Sequence, residues 1–270
     1  MAQKDVPKFR KIIWKFYAEH KRAMPWRKTR NPYRILVSEI MLQQTQVATV
    51  LKKYPHFIRR FPTFQALARA PQNLILQEWR GLGYNRRAIA LKKIAVTVCT
   101  KYNGKLLRAA EELDALPGIG HATASSIAAF AFNSPAIFIE TNIRRVFIHH
   151  FFPNREKIKD SELIPFIEEV LDRKNPREWY FALMDYGAWL GKTEGNPNRR
   201  SAHYTKQSKF SGSRREVRGK ILRLLLENKK LAPYRIAKTL SQKPRVLAPI
   251  LKTLQTEGFI AEHLGGFSLT

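Results

Sequence analysis

LPGIGH at residues 116–121 and ETN at residues 140–142, with 19 residues between Gly120 and Glu140, decide the reading of this chain. A Pro-Gly-x-Gly turn between two apolar helical runs interrupts the helix, because glycine reaches backbone angles that other residues avoid. It forms a helical hairpin whose bare amides can sit against an anion. The helical run that follows, Thr123 to Phe132, carries the chain to an acidic residue about a helix length away. An anion clamp spaced from a carboxylate suits a protein that grips a nucleic-acid backbone and acts on one sugar beside it.

The composition points the same way. The 270 residues include 49 Lys and Arg against 21 Asp and Glu, a formal net charge of +28 with pI near 10.5. That excess implies a polyanionic partner. A membrane is the weaker candidate, since no stretch approaches the ~18 uninterrupted apolar residues of a spanning helix. With 44% hydrophobic residues and 16 Phe, the chain can bury a core, so disorder does not explain the charge. The start, MAQKDVPKFR, lacks an apolar signal segment, so a cytoplasmic protein is expected, nucleoid-associated in a prokaryote. One cysteine, Cys99, permits no internal disulfide and no cysteine-rich metal site, and a buried structural thiol is expected. His149 and His150 end a helix without the spacing of a metal pair and read as surface or capping histidines. No metal, no cofactor and a monomer are the expectations.

Helical periodicity spans 8–21, 36–52, 55–61, 64–69, 73–80, 86–101, 107–114, 122–132, 141–151, 160–173 and 176–190, with prolines and glycines between. Residues 1–190 therefore read as an all-α domain, and 191–213 as a polar basic loop and linker. Over 214–270, helices at 215–228, 233–240 and 244–257 precede two short β-like pieces, GFIAEH and GGFSLT, the pattern of a winged helix-turn-helix. Residues 199–252 hold 16 Lys or Arg and 2 Glu, so this module is expected to touch nucleic acid, with Arg245 and Lys252 on the helix laid against the groove. A solvated basic face with only a packing role is the competing reading.

Four segments carry a family resemblance: MPWRKTRNPYRILVSEIMLQQTQV (24–47), WRGLGYNRRA (79–88), LPGIGHATASSIAAFAF (116–132) and IFIETNIRRVF (137–147). Together they resemble the helix-hairpin-helix DNA glycosylases, and within them the adenine glycosylases of the MutY type. The hairpin alone is a weak signal; SEIMLQQTQV with its PWR prefix is a strong one. The resemblance implies a two-lobed helix-hairpin-helix glycosylase fold over roughly 8–190, followed here by the winged helix. It implies base excision repair: a mispaired or damaged base in double-stranded DNA is flipped and its N-glycosidic bond hydrolysed.

Glu39 lies among Ile35, Leu36, Ile40, Met41 and Leu42, surroundings that raise a carboxyl pKa. The resemblance makes it the acid that protonates the leaving base and then activates water. The bland reading is a helix carboxylate paired with Arg34 or another cation. Glu140 lies where the family has an aspartate that stabilises the cationic sugar, the two carboxyls sharing the logic of a glycosidase. ETN replaces the family's DGN, and a helix N-terminal carboxylate is the alternative for Glu140. Asn142 matches an asparagine that positions sugar and acid.

Trp26 and Arg27 match residues lining the base pocket. Gln43, Gln44 and Tyr84 match residues that fill the gap of a flipped base or wedge the opposite strand, with Arg86 beside them on the DNA. Core packing is the alternative for Trp26 and Tyr84. Gly118, Gly120, His121 and Ala122 belong to the hairpin that meets the backbone. In strand-cutting relatives the position of Ala122 holds a nucleophilic lysine. Its absence implies a monofunctional enzyme, unless Lys192 or another lysine acts from elsewhere. The family's C-x6-C-x2-C-x5-C run for an iron–sulfur cluster falls on Gly191, Asn198, Ser201 and Gln207, so no cluster can form, although Lys192, Arg199 and Arg200 could still grip phosphates. The MutT-like domain that recognises oxidised guanine opposite adenine is replaced by the winged helix. Adenine opposite oxidised guanine is the first expectation, with a thymine or uracil mismatch glycosylase and an inactive DNA-binding relative as rivals.

Overall fold

Breakers divide this chain into helices almost without strands. The computed structural model describes residues 6–206 and 209–270, in which fourteen α-helices accompany one two-stranded hairpin. The helices are α1 (Val6–His20), α2 (Pro32–Leu42), α3 (Val47–Arg60), α4 (Phe64–Arg69), α5 (Gln72–Trp79), α6 (Arg86–Lys101), α7 (Ala110–Asp114), α8 (His121–Phe132), α9 (Thr141–Phe151), α10 (Asp160–Val170), α11 (Pro176–Thr193), α12 (Arg214–Glu227), α13 (Pro233–Thr239) and α14 (Pro244–Thr256). The strands β1 (Ile260–His263) and β2 (Gly266–Leu269) pair antiparallel, Ile260 opposite Leu269. No helix of the described residues is long and apolar enough to cross a membrane.

The single helix expected over 36–52 is two. It stops at Leu42 and restarts at Val47 because Gln44 takes a left-handed backbone, φ 53°. The break expected before Pro55 is absent. Val50, Tyr54 and Phe57 bury one continuous face of α3, and that packing carries the helix through Pro55, which stands on the exposed side. Cys99, expected to be buried, is half-buried in α6.

The chain forms two compact units, residues 1–40 with 106–206, and residues 41–105 with 207–270. The first packs α1 and α7–α11 around an aromatic core including Phe9, Phe130, Phe138, Phe147, Trp179 and Tyr180. His150, expected at the surface, packs instead against Phe9 and Tyr186, with Nε2 3.0 Å from the Tyr186 hydroxyl. Burial pushes its pKa down to about 4, so it is neutral there.

In the second unit the sequence sets 214–270 apart, but its contacts join it to 41–105. Glu257 at the end of α14 takes ion pairs from Arg218 of α12 and Arg86 of α6. Gln72 of α5 donates to the Gly258 carbonyl at 2.7 Å, and Arg80 meets Glu227 at 3.3 Å. Glu257 is the hub, its carboxyl held below the usual range by Arg86 first and Arg218 next. Glu257→Ala should lower stability by about 1 kcal/mol, since one partner is largely exposed, and should speed amide exchange in α12. Chemical denaturation with hydrogen-exchange mass spectrometry tests this; an unchanged midpoint and unchanged protection would remove Glu257 from that role.

Candidate active site

Glu39 projects from the last turn of α2, a helix whose Ile35, Leu36, Val37, Ile40 and Met41 are all buried. The residue is half-buried, and removal of its carboxyl from water dominates its chemistry. Its pKa is raised to about 7, by desolvation first and by the neighbouring Glu140 charge, against the opposing pull of Ser126 and Arg27. Its hydrogen-bond partner is not Arg34 but Ser126 of α8, whose Oγ donates to Glu39 Oε2 at 2.7 Å. The same hydroxyl lies 2.9 Å from the Thr123 carbonyl. One hydroxyl can thus serve both states, donating to the carboxylate, or accepting from the acid while donating to Thr123.

Glu140 is the N-cap of α9. Its Oε1 accepts from the backbone amides of Asn142 and Ile143 at 2.8 and 2.9 Å, and its Oε2 from Asn142 Nδ2 at 3.2 Å. The capping alternative is therefore present, without ending the electrostatic one: burial still raises the Glu140 pKa against these bonds, and its charge is felt at Glu39. Asn142 is oriented in turn by Arg145, whose Nη1 donates to Asn142 Oδ1 at 3.0 Å and to the Gly187 carbonyl at 2.6 Å. A side chain at Gly187 would overlap the Asn142 backbone, so this glycine sets the approach of α11 to α9. Arg145 and Gly187 escape a reading of single motifs. The only signal is the i, i+3 spacing of Asn142 and Arg145 on one helix face.

Trp26 is buried in the core of the first unit. Arg27 is committed to Asp185 of α11 through two bonds of 2.7 and 2.8 Å, and its guanidinium lies 4.5 Å from the Phe181 ring centroid. It acts on Glu39 as a fixed positive charge rather than as a hand extended to DNA. Asp185 also pairs with Arg22 and passed unnoticed in the sequence.

In the hairpin between α7 and α8, Gly118 has φ 78°, an angle that requires glycine. Gly120 does not share that reason: it caps α8 in ordinary extended backbone, φ −113°. A Cβ there would meet nothing within 4 Å, so the open space in front of the helix is what glycine preserves. His121 and Ala122 are exposed in the first turn of α8, where helix geometry leaves amides without intrahelical acceptors.

Lys192 and Arg199 are exposed, but Arg200 is not offered to a phosphate. It donates to the carbonyls of Phe152 and Pro153 at the end of α9. The segment at the cluster positions is held by protein contacts. Asn198 Nδ2 donates to the Thr141 carbonyl at 2.9 Å, and Ser201 pairs with Ile158 in a parallel bridge. These positions do not fit a cluster. Asn198 and Ser201 bring no thiolate, and any side chain at Gly191 would collide with the Arg145 guanidinium. Gln207 lies outside the described residues.

Gln43, Gln44, Tyr84 and Arg86 belong to the second unit. Tyr84 is 38% exposed with φ 48°, which sets it apart from core packing. Arg86 is held by Glu257. The organiser of these turns is its neighbour Arg87, a buried residue that donates to the carbonyls of Met41, Gln43, Leu82 and Gly83.

Comparison with known proteins follows this geometry. Residues 37–169 match the family described as HhH-GPD superfamily base excision DNA repair protein. An adenine DNA glycosylase of Mycobacterium tuberculosis is 32% identical over 242 residues, covering 79% of this chain and 76% of the relative. Those of Buchnera aphidicola subsp. Baizongia pistaciae and Homo sapiens are 39% and 34% identical, over 63% and 68% of this chain. The matches cover 49% and 36% of those two relatives, so the chain spans half of their length or less. Among solved structures, a thermostable thymine-DNA glycosylase is similar with TM-score 0.62 and 27% identity, covering 72% of this chain and 92% of that one. A trapped endonuclease III–DNA covalent intermediate shares the fold, with TM-score 0.58 at 21% identity over 78% of this chain and 91% of that one. The chain belongs to the HhH-GPD superfamily of base excision DNA repair proteins, in the adenine DNA glycosylase family.

Ser126 holds the Glu39 carboxylate down, so Ser126→Ala should move the Glu39 pKa further above about 7. Carbon-13 NMR titration of the Glu carboxyls, with Glu39→Gln to assign the signal, measures it. A pKa that stayed in place or fell would show that the 2.7 Å contact does not stabilise the charged form.

Proposed function

We propose that this chain is a monofunctional adenine DNA glycosylase of base excision repair, removing adenine mispaired with oxidised guanine from double-stranded DNA. The observation that carries the reading is the Glu39 carboxyl with its pKa near 7, a group holding a proton for a large part of the time at neutral pH. Protonation of a ring nitrogen lets the purine leave neutral as the C1′–N9 bond breaks, and the sugar becomes an oxocarbenium ion. Glu140, oriented by its cap bonds and by Asn142, supplies the negative charge that stabilises that cation. Glu39, now a carboxylate, takes a proton from the water that attacks C1′. Because the acid form starts the reaction, the rate should fall as pH rises through about 7. One chain carries every group named, so a monomer suffices. Helices α12–α14 with the β1–β2 hairpin serve as a winged-helix module adding contacts to DNA.

A thymine mismatch enzyme is the second reading, favoured by the likeness to a thymine-DNA glycosylase. A panel of duplexes carrying adenine, thymine or uracil opposite guanine or oxidised guanine, each cleaved with alkali after incubation, separates the two. Adenine released in preference is the expected result.

Two outcomes test the roles. Glu39→Gln should lower single-turnover base release by about 10²–10⁴-fold or more while DNA binding persists. Near-normal rates would displace Glu39 from the mechanism. With Ala122 at the position of a nucleophile, borohydride should trap no covalent adduct, and strand scission should need added alkali. An efficiently trapped adduct would show a lysine acting from elsewhere.

A further inference from the structure

The second compact unit encloses a cavity of about 1180 Å³ that the excision chemistry does not use. Its walls come from segments remote in sequence: the turns at 43–44 and 80–87, and α12 with Phe210 ahead of it. Seven Arg and Lys side chains line it against a single carboxylate, Glu216. That carboxylate is already engaged by Lys220 at 2.8 Å and by the Gly212 amide at 2.6 Å. Such a concentration of like charge is costly unless an anion enters.

The cavity is not merely basic. Phe210 is 61% exposed on its wall, and Tyr84 is 38% exposed. The Tyr84 ring is fixed, with the Arg87 guanidinium 5.4 Å from its centroid and its hydroxyl accepting from Arg215 Nη1 at 3.1 Å. Leu76, Leu82, Leu222 and Leu226 supply apolar lining. Cations beside flat aromatic faces over an apolar floor match a nucleotide, with its phosphate on one part and the face of its base on another. A free anion would need no exposed rings, and an acidic peptide no stacking faces.

We propose that this cavity binds the DNA strand opposite the excised base, with one unpaired base against Phe210 and Tyr84 and its flanking phosphates on Arg215 and Arg223. The inference rests on the glycosylase reading in one respect, the choice of strand. Gln43 and Gln44 in the cavity wall follow Glu39 by four and five residues, about one helical turn of chain, so DNA engaged at Glu39 is within reach of the cavity. The base being removed occupies the Glu39 site, which leaves the partner strand for the cavity. On this account α12, rather than α14 with its Arg245 and Lys252, reads the strand.

The test uses the full chain and two duplexes, one fully paired and one with a single unpaired guanine, with binding followed by fluorescence anisotropy across salt concentrations. Arg215→Ala with Arg223→Ala should weaken both duplexes and lower the salt slope by about two, one unit per phosphate lost. Phe210→Ala should weaken the unpaired-guanine duplex about tenfold, leave the paired one within about twofold, and be rescued by Phe210→Trp. The matched pair Arg245→Ala with Lys252→Ala should have the smaller effect. Single-turnover excision at saturating enzyme should match the wild type in all of them. An unchanged salt slope in the arginine pair, or an unchanged preference in Phe210→Ala, with the circular dichroism of the wild type, would overturn the proposal. Failure of the wild type to release adenine would overturn the proposed activity instead, leaving the binding result to stand by itself.

Discussion

A carboxyl held out of water at Glu39 is the constraint on which the rest of the first unit depends. Its folded pKa near 7 lies above the ordinary 4.5, so the folded chain keeps a proton that the unfolded chain has released. Between those values the folded state binds more protons, and stability falls as pH rises from about 4.5 towards 7. The shift corresponds to roughly 3 kcal/mol set against the fold at neutral and alkaline pH. Packing offsets that cost. Phe147, Trp179 and Tyr180 are fully buried, and the faces of α9 and α11 are brought together by Gly187. A softer core would admit water, and Glu39 would revert to an ordinary carboxylate.

The same packing explains how the segment at 191–206 stays in place with no thiolate at the cluster positions. Arg145 occupies the space where a side chain at Gly191 would have to go, and uses it to hold Asn142 and the Gly187 carbonyl. Asn198 reaches Thr141, the first residue of α9, and Arg200 reaches the carbonyls at the end of the same helix. Both ends of α9 are thereby tied to one short segment. The helix that presents Glu140 is fixed by hydrogen bonds, which can be lost one at a time.

The sequence makes the catalytic residues legible and leaves their supports hidden, for a physical reason. SEIMLQQTQV and LPGIGH are local patterns, and the apolar neighbours of Glu39 are adjacent in the chain, so a raised pKa follows from them. Ser126 lies 87 residues away and Asp185 lies 158 residues from Arg27, separations across which periodicity carries no information. The break after Leu42 was missed because QQTQ contains no proline or glycine; the left-handed Gln44 is held by Arg87, 44 residues on from Gln43. Gly120 was credited with an unusual angle when its use is empty space. The winged pattern was visible as elements, yet its attachment to 41–105 through Glu257 was not, since one carboxylate among many cations looks unremarkable.

Net charge also misleads about where a basic protein meets its partner. Several arginines of this chain are consumed inside it: Arg27 by Asp185, Arg87 by four carbonyls, Arg145 by Asn142 and Gly187, Arg177 by the carbonyls of Phe130, Arg27 and Thr29, and Arg200 by the end of α9. A buried guanidinium is tolerable only when its donors are answered, and main-chain carbonyls at turns and helix ends answer them without adding negative charge. Lysine could not substitute, since its compact ammonium lacks the planar fork that reaches several carbonyls at once. These residues therefore raise the formal charge while doing the work of hydrogen-bonded spacers. The cations that can neutralise phosphates are the exposed remainder. Their density around α12 matters more to binding than the total of +28.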